Sequence, residues 1–169
     1  WRQSQTLADA HGLPATCYTD FELALRERSA IFARSWQLVA HRAQLANPGD
    51  HVVAEVAGTP LLLLRDDHGE LRALHNVCRH RGGPLATADG SGLKQLRCQY
   101  HGWTYDLAGC LKSGPELDAI AGLDRANTRL PSARAVEWQG LVFVALDPAT
   151  PDFAESVDGI DARLAGHGL

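Results

Sequence analysis

The chain of 169 residues has only four cysteines, and two of them lie beside a histidine. "NVCRHRGGPLA" (76–86) holds Cys78 and His80 two apart, and "CQYHGW" (98–103) holds Cys98 and His101 three apart. Thiolate and imidazole both bind transition metals. In a chain with so few cysteines, this pairing points to a metal site and not to a disulfide scaffold. Seventeen residues separate the two pairs, enough for two tight loops to clamp one inorganic centre. Two cysteines and two histidines suit zinc. They also suit an iron–sulfur centre in which one iron takes both thiolates and the other both imidazoles. Finger-type zinc sites usually pair Cys with Cys and His with His, whereas here each loop gives one of each, which favours two unlike irons. Gly82, Gly83 and Gly102 follow the histidines, where the backbone must turn sharply and approach a centre closely. Backbone N–H groups on such turns can donate to cluster sulfurs and help set a potential.

The elements that must position these loops read as short strands behind one helix. "TDFELALRERSAIFARSW" predicts an amphipathic helix capped by Thr19 or Asp20, with Phe21, Ala24, Leu25, Ile31 and Phe32 on one face. After Trp36 come a turn at "ANPGD", strands at "HVVAEV" and "PLLLL", and a hairpin turn at "RDDHGE" leading into "LRALHNV". "WTYDLAGCLK" reads as strand, turn, strand, and "AVEWQGLVFVAL" as a hairpin with a tight turn at "WQG". Residues 113–131 lack a period and predict a long loop with a little helix. "ESVDGIDARLAGHGL" begins a helical pattern that then stops. The body is therefore expected to be antiparallel and mainly β.

The two loops, "CRHRG" and "CQYHGWTYD", resemble the Rieske domain of ring-hydroxylating oxygenases, in particular their large or alpha subunit. "ERSAIFARSWQLVAH", "NPGD" and "EWQGLVFVALDP" resemble segments that flank it. The resemblance implies a mainly β, antiparallel Rieske-type (ISP-like) fold with a small two-loop cluster-binding subdomain and an N-terminal helix. It implies an N-terminal segment at 1–37, a Rieske 2Fe–2S domain at 38–150 whose cluster-binding part spans about 76–112, and the start of a linker at 151–169. Cys78, His80, Cys98 and His101 become the implied cluster ligands, with Arg81, Gly83, Tyr100, Gly102, Trp103 and Tyr105 around them.

Rieske proteins of respiratory chains resemble this pattern with an extra cysteine in each loop, the two forming a disulfide. The matching positions here are Gly83 and Tyr100. Their serine donor to a cluster sulfur is matched by Trp103. Losing a donor to sulfur favours the oxidised cluster, so the expected midpoint lies towards the bottom of the Rieske range, about −150 mV. Tyr105 reads either as a hydroxyl donor to a cysteine sulfur or as a β-core aromatic, and Trp103 as a packing lid over the cluster. Each ligand histidine is expected to leave one ring N–H for a carboxylate or a partner protein.

Oxygen activation in the resembled family uses a mononuclear non-haem iron held by two histidines and a carboxylate. Downstream of the two loops the sequence holds one further histidine, His167, so that iron is expected only in a catalytic domain outside this chain. The implied function is electron transfer within an oxygenase that hydroxylates a small organic substrate. Electrons would come from a reductase or ferredoxin and pass to the catalytic domain of the same or a neighbouring subunit, in a homotrimer when full length. This chain alone is expected to transfer electrons and hydroxylate nothing. The alternatives are a free-standing Rieske ferredoxin, which would be shorter and lack the leading helix, and a zinc-stapled interaction module.

Composition narrows the rest. The formal charge of −4 with no basic run gives no reason to expect nucleic acid. The longest aliphatic run, 61–64, falls far short of the ~20 residues that span a bilayer, and the N-terminal residues carry no apolar signal core. No membrane partner and a cytoplasmic location are expected. Cys17 and Cys110 read as free thiols. His11, His41, His51, His68 and His167 read as isolated, and His75 as structural.

Overall fold

The structure, a computed structural model, describes residues 6–164. Two helices open it, α1 (Thr16–Thr19) and α2 (Phe21–Ala30). The Asp20 carboxylate caps α2, accepting from the Leu23 N–H at 3.1 Å. The inward face differs from the one read from periodicity. Phe21 is 71% exposed and Leu25, Ile31 and Phe32 are also exposed, while the half-buried helical positions are Leu23 and Glu27, one turn apart. An apolar stripe marks a surface that gains from cover, but not the side on which the rest of the same chain lies.

Nine strands follow: β1 (Gln37–His41), β2 (His51–Val56), β3 (Thr59–Arg65), β4 (Leu71–His75), β5 (Leu96–Arg97), β6 (Thr104–Tyr105), β7 (Leu111–Ser113), β8 (Ser132–Trp138) and β9 (Leu141–Ala145). Every pairing is antiparallel. Six strands form one sheet in the order β1-β9-β8-β4-β3-β2, and the remaining three form a small sheet, β5-β6-β7. The edges β1 and β2 of the large sheet come back into contact, so it curls nearly shut. Its two tightest hairpins turn on Ala57–Gly58 and Gln139–Gly140, with φ of 48° and 78° and of 50° and 77°. Positive φ at both central residues gives the turn whose twist matches the flanking strands.

The uninterrupted aliphatic run 61–64 is explained by burial on both faces of β3. Leu61 and Leu63 pack with Val52, Ala73, Val142 and Val144 inside the curled sheet. Leu62 and Leu64 face the other way, into a second core with Leu74, Leu96, Leu111, Leu117 and Leu130. Cys78, Cys98, Trp103 and Tyr105 belong to that second core, so the metal loops stand on the outer face of the large sheet. The loop expected over 113–131 carries one short 3-10 turn, Leu117–Ala119. The C-terminal pattern resolves into α3 (Phe153–Ser156) and α4 (Ile160–Leu164), separated around Gly159 at φ 71°. Phe153 packs edge-on against Trp36 at 5.3 Å and the Trp36 indole donates to the Pro151 carbonyl, which ties the two flanking segments together.

Candidate metal centre

Both loops are built on one hydrogen-bond scheme. In the first, the Cys78 N–H donates to the Gly83 carbonyl at 2.8 Å and the Gly82 N–H to the Cys78 carbonyl at 3.0 Å. In the second, the Cys98 N–H donates to the Trp103 carbonyl and the Gly102 N–H to the Cys98 carbonyl, both at 2.9 Å. The return in each requires a left-handed residue, supplied by Gly82 at φ 75° and Gly102 at φ 76°. Gly83 has a different role, that of close approach. A methyl group there would lie 3.1 Å from the Cys98 sulfur and 3.3 Å from Tyr100 Cβ, so glycine lets the first loop press against the second.

The four candidate donors form two layers. Cys78 and Cys98 are 3% and 2% exposed, whereas His80 is exposed and His101 half-buried. The imidazole rings meet nearly edge to face, centroids 4.7 Å apart. Among the described residues no three His, Cys, Asp or Glu side chains gather about a single ion-sized point; the donors stand as an inner thiol pair and an outer imidazole pair. Partial burial, followed by the nearby His80 and the Arg81 guanidinium, holds His101 below the usual imidazole range. That keeps the ring in the neutral form that binds metal.

The surrounding residues each touch this arrangement. The buried Trp103 indole stacks on His80, centroids 4.8 Å apart and 12° from parallel. Exposed Tyr100 lies over His101 at 4.1 Å, with the Arg81 guanidinium 5.9 Å from its ring centre. Tyr105 is placed in the core and against a cysteine sulfur. It is fully buried in the core, and its hydroxyl lies 3.3 Å from the Cys78 sulfur. That oxygen also accepts from the Arg79 N–H at 3.0 Å. Burial first, then the Cys78 side chain, pushes the Tyr105 hydroxyl well above its ordinary pKa, so it stays a donor.

Outside the imidazole pair lies a cleft of about 460 Å³ lined by His80, His101, Trp103, Pro115, Glu116, Ala119 and Ile120. Glu116 stands at φ 58°, in the left-handed region that favours glycine. Sequence reading passed over Asn76, which is 5% exposed and bonds through its side chain to Leu85 and Ala86 at the far end of the first loop. No spacing rule marks it, because its partners are backbone groups brought near only by loop closure.

His41 accepts from the Ala43 N–H, and His51 is buried against Gly90. His68 sits in the β3–β4 turn, and His75 ends β4, half-buried and held below the usual imidazole range by that burial. His167 lies outside the described residues. Cys17 and Cys110 are free and half-buried.

The donor set fits a [2Fe–2S] group: two buried thiols, two surface imidazoles, and beside the Cys98 sulfur the room that a Cβ at Gly83 would fill. Comparison with known proteins agrees. A family described as "Rieske [2Fe-2S] domain" matches residues 35–128. The chain is 34% identical over 156 residues to the carnitine monooxygenase oxygenase subunit of Escherichia coli (strain K12), covering 92% of this chain and 42% of that protein. It is 39% identical to the biphenyl 2,3-dioxygenase alpha subunit of Rhodococcus jostii (strain RHA1), covering 80% of this chain and 30% of that one. A solved quaternary ammonium Rieske monooxygenase superposes with a TM-score of 0.83 at 33% identity, over 89% of this chain and 41% of that one. The chain thus spans less than half the length of these relatives. Over the loops, the small sheet and the strands that carry them, sequence and fold give one answer: the chain belongs to the Rieske [2Fe-2S] domain family.

Proposed function

We propose that this chain is the electron-transfer domain of a non-haem iron oxygenase. Cys78 and Cys98 would hold one iron of a [2Fe–2S] cluster and His80 and His101 the other. The bound cluster supplies a one-electron store. The observation that carries the reading is the layering: thiols buried against the barrel, and imidazoles at the surface beside an open cleft. Tyr105 donates to the Cys78 sulfur from a site closed to water, Trp103 fixes the plane of His80, and Tyr100 covers His101. The exposed imidazole edges are then the shortest route between the buried thiols and a partner.

On this reading residues 38–150 form the Rieske domain, 1–37 an N-terminal segment, and 151–169 the start of a linker. The electron donor is a reductase or ferredoxin, and the acceptor is a mononuclear iron in a catalytic domain of the same or a neighbouring subunit. The description of one similar structure as bearing on inter-subunit electron transfer supports the second arrangement for that protein. A homotrimer in the cytoplasm is the proposed assembly. Among the described residues no helix is long and apolar enough to cross a membrane. Relatives named for carnitine and for biphenyl match about equally well, so the substrate is proposed only as a small organic molecule, aromatic or quaternary ammonium.

The test is an electron paramagnetic resonance (EPR) spectrum of the dithionite-reduced chain with iron and zinc measured on the same sample. A rhombic Rieske-type signal with two irons per chain is expected. Zinc without iron, and no signal, would refute the proposal.

A further inference from the structure

The two metal loops share their inner hydrogen bonds but differ at the neck. The second loop is closed by a strand ladder, with Leu96 paired to Tyr105 and Arg97 to Thr104. At the neck of the first loop, between residues 76 and 86, the Asn76 side chain takes the place of a ladder. Its carbonyl oxygen accepts from the N–H groups of Leu85 at 2.9 Å and Ala86 at 3.1 Å, and its amide nitrogen donates to the Ala86 carbonyl at 2.7 Å. Three bonds across ten residues are as many as a short ladder makes. Meanwhile the Asn76 main chain belongs to the large sheet, its N–H donating to the Pro60 carbonyl at 2.9 Å. One buried residue therefore has its backbone in the barrel and its side chain in the loop that carries Cys78 and His80.

We infer that Asn76 is a positioning residue for the metal centre: it locks the first loop to the barrel and so fixes Cys78 and His80 against Cys98 and His101. This rests on the cluster-binding role proposed above for those four residues. Asparagine fits where close relatives in size do not. Aspartate keeps the two accepted bonds but loses the donor to Ala86 and sets a carboxylate against that carbonyl. Alanine leaves two N–H groups and one carbonyl without these partners, the Leu85 N–H in a buried residue and the Ala86 groups in a half-buried one, where an unmade bond is costly. If Asn76 only stabilised the fold, its replacement would lower stability and leave the centre unchanged.

The experiment compares Asn76→Asp, Asn76→Ala and a distant core change, Val142→Ala, on two readouts. The first needs no metal: hydrogen exchange of the Leu85 and Ala86 amides in the apo-protein. The second is the rate at which a chelator strips iron from the loaded chain, with the EPR g values of the reduced form. Asn76→Ala should lose protection at both amides, release iron about 10–100-fold faster, as changes in groups that orient metal ligands do, and shift the g values. Asn76→Asp should fall between it and the native chain. Val142→Ala should melt lower yet keep native exchange at those amides and a native centre. If Asn76→Ala does not fold, Asn76→Asp decides on the same readouts. Native exchange at Leu85 and Ala86 in the Asn76 variants, or native iron release and g values, would overturn the assignment. A native chain that takes up no two-iron cluster would instead sink the electron-transfer reading, while amide exchange still decides the role of Asn76.

Discussion

Replacing Tyr105 by phenylalanine removes one oxygen atom and two interactions. The hydroxyl lies 3.3 Å from the Cys78 sulfur and 3.0 Å from the Arg79 nitrogen, and the side chain is fully buried, so no water takes its place. A hydrogen bond to a charged group contributes about 1.5–3 kcal/mol. Only the part that differs between oxidation states enters a midpoint potential. If that is about a third of the whole, roughly 0.5–1 kcal/mol, then at about 59 mV per 1.4 kcal/mol the shift is about 20–40 mV. The direction is fixed by charge: the reduced centre is more negative, gains more from the donor, and loses more when it is removed. The midpoint of Tyr105→Phe should therefore fall. Separately, the Arg79 N–H loses its acceptor, at about 1–3 kcal/mol, which lowers Tm by at least about 2 °C in a chain of this size. A potentiometric titration followed by EPR, with a thermal melt of the same samples, reads both. An unchanged or raised midpoint would refute the claim that the Tyr105 proton points at the sulfur.

Three further outcomes are expected. The native midpoint should lie near −150 mV, since Trp103 stands where respiratory Rieske proteins carry a serine donor; a clearly positive value would contradict this. Gly83→Ala should leave far-UV dichroism intact but cut iron content, because the new methyl group meets the Cys98 sulfur at 3.1 Å and Tyr100 Cβ at 3.3 Å; full loading would show that the loops can separate freely. Asp66 is buried, which alone would raise its pKa, but the Glu70 N–H, the Arg72 side chain and the His68 N–H together hold it below the ordinary value. Its stabilising effect is thus present above the unfolded carboxylate value of about 3.9 and is lost as pH falls through the lower folded value. Asp66→Asn should be less stable at neutral pH and should flatten that acid limb, and an acid limb parallel to the native one would show that Asp66 does not contribute to it.

What could be read from the sequence follows from which interactions are local. The loops were legible because each Cys–His pair lies within one turn and the glycines mark where that turn must close. The hairpin turn at Gln139–Gly140, marked by "WQG", was legible because its turn residues are adjacent in sequence, whereas the tight turn at Ala57–Gly58 between β2 and β3 was not singled out. The inward face of α2 was not, since Phe21 and Leu25 carry the periodic signal while Leu23 and Glu27 meet the body. Nor was the stacking of Trp103 on His80, which joins two loops, or the left-handed Glu116, whose type gives no hint of it. Asn76 opens the very segment that drew attention, yet its function depends on Leu85 and Ala86 returning to it in space.

The alternation of Leu61 and Leu63 with Leu62 and Leu64 along β3 ties the fate of the barrel to that of the metal loops. One strand is the common wall of two cores, so neither core can be lost as a whole without the other. Whatever binds only the native loops therefore stabilises the whole domain by mass action. Global unfolding is then expected as a single cooperative event in which both cores are lost together.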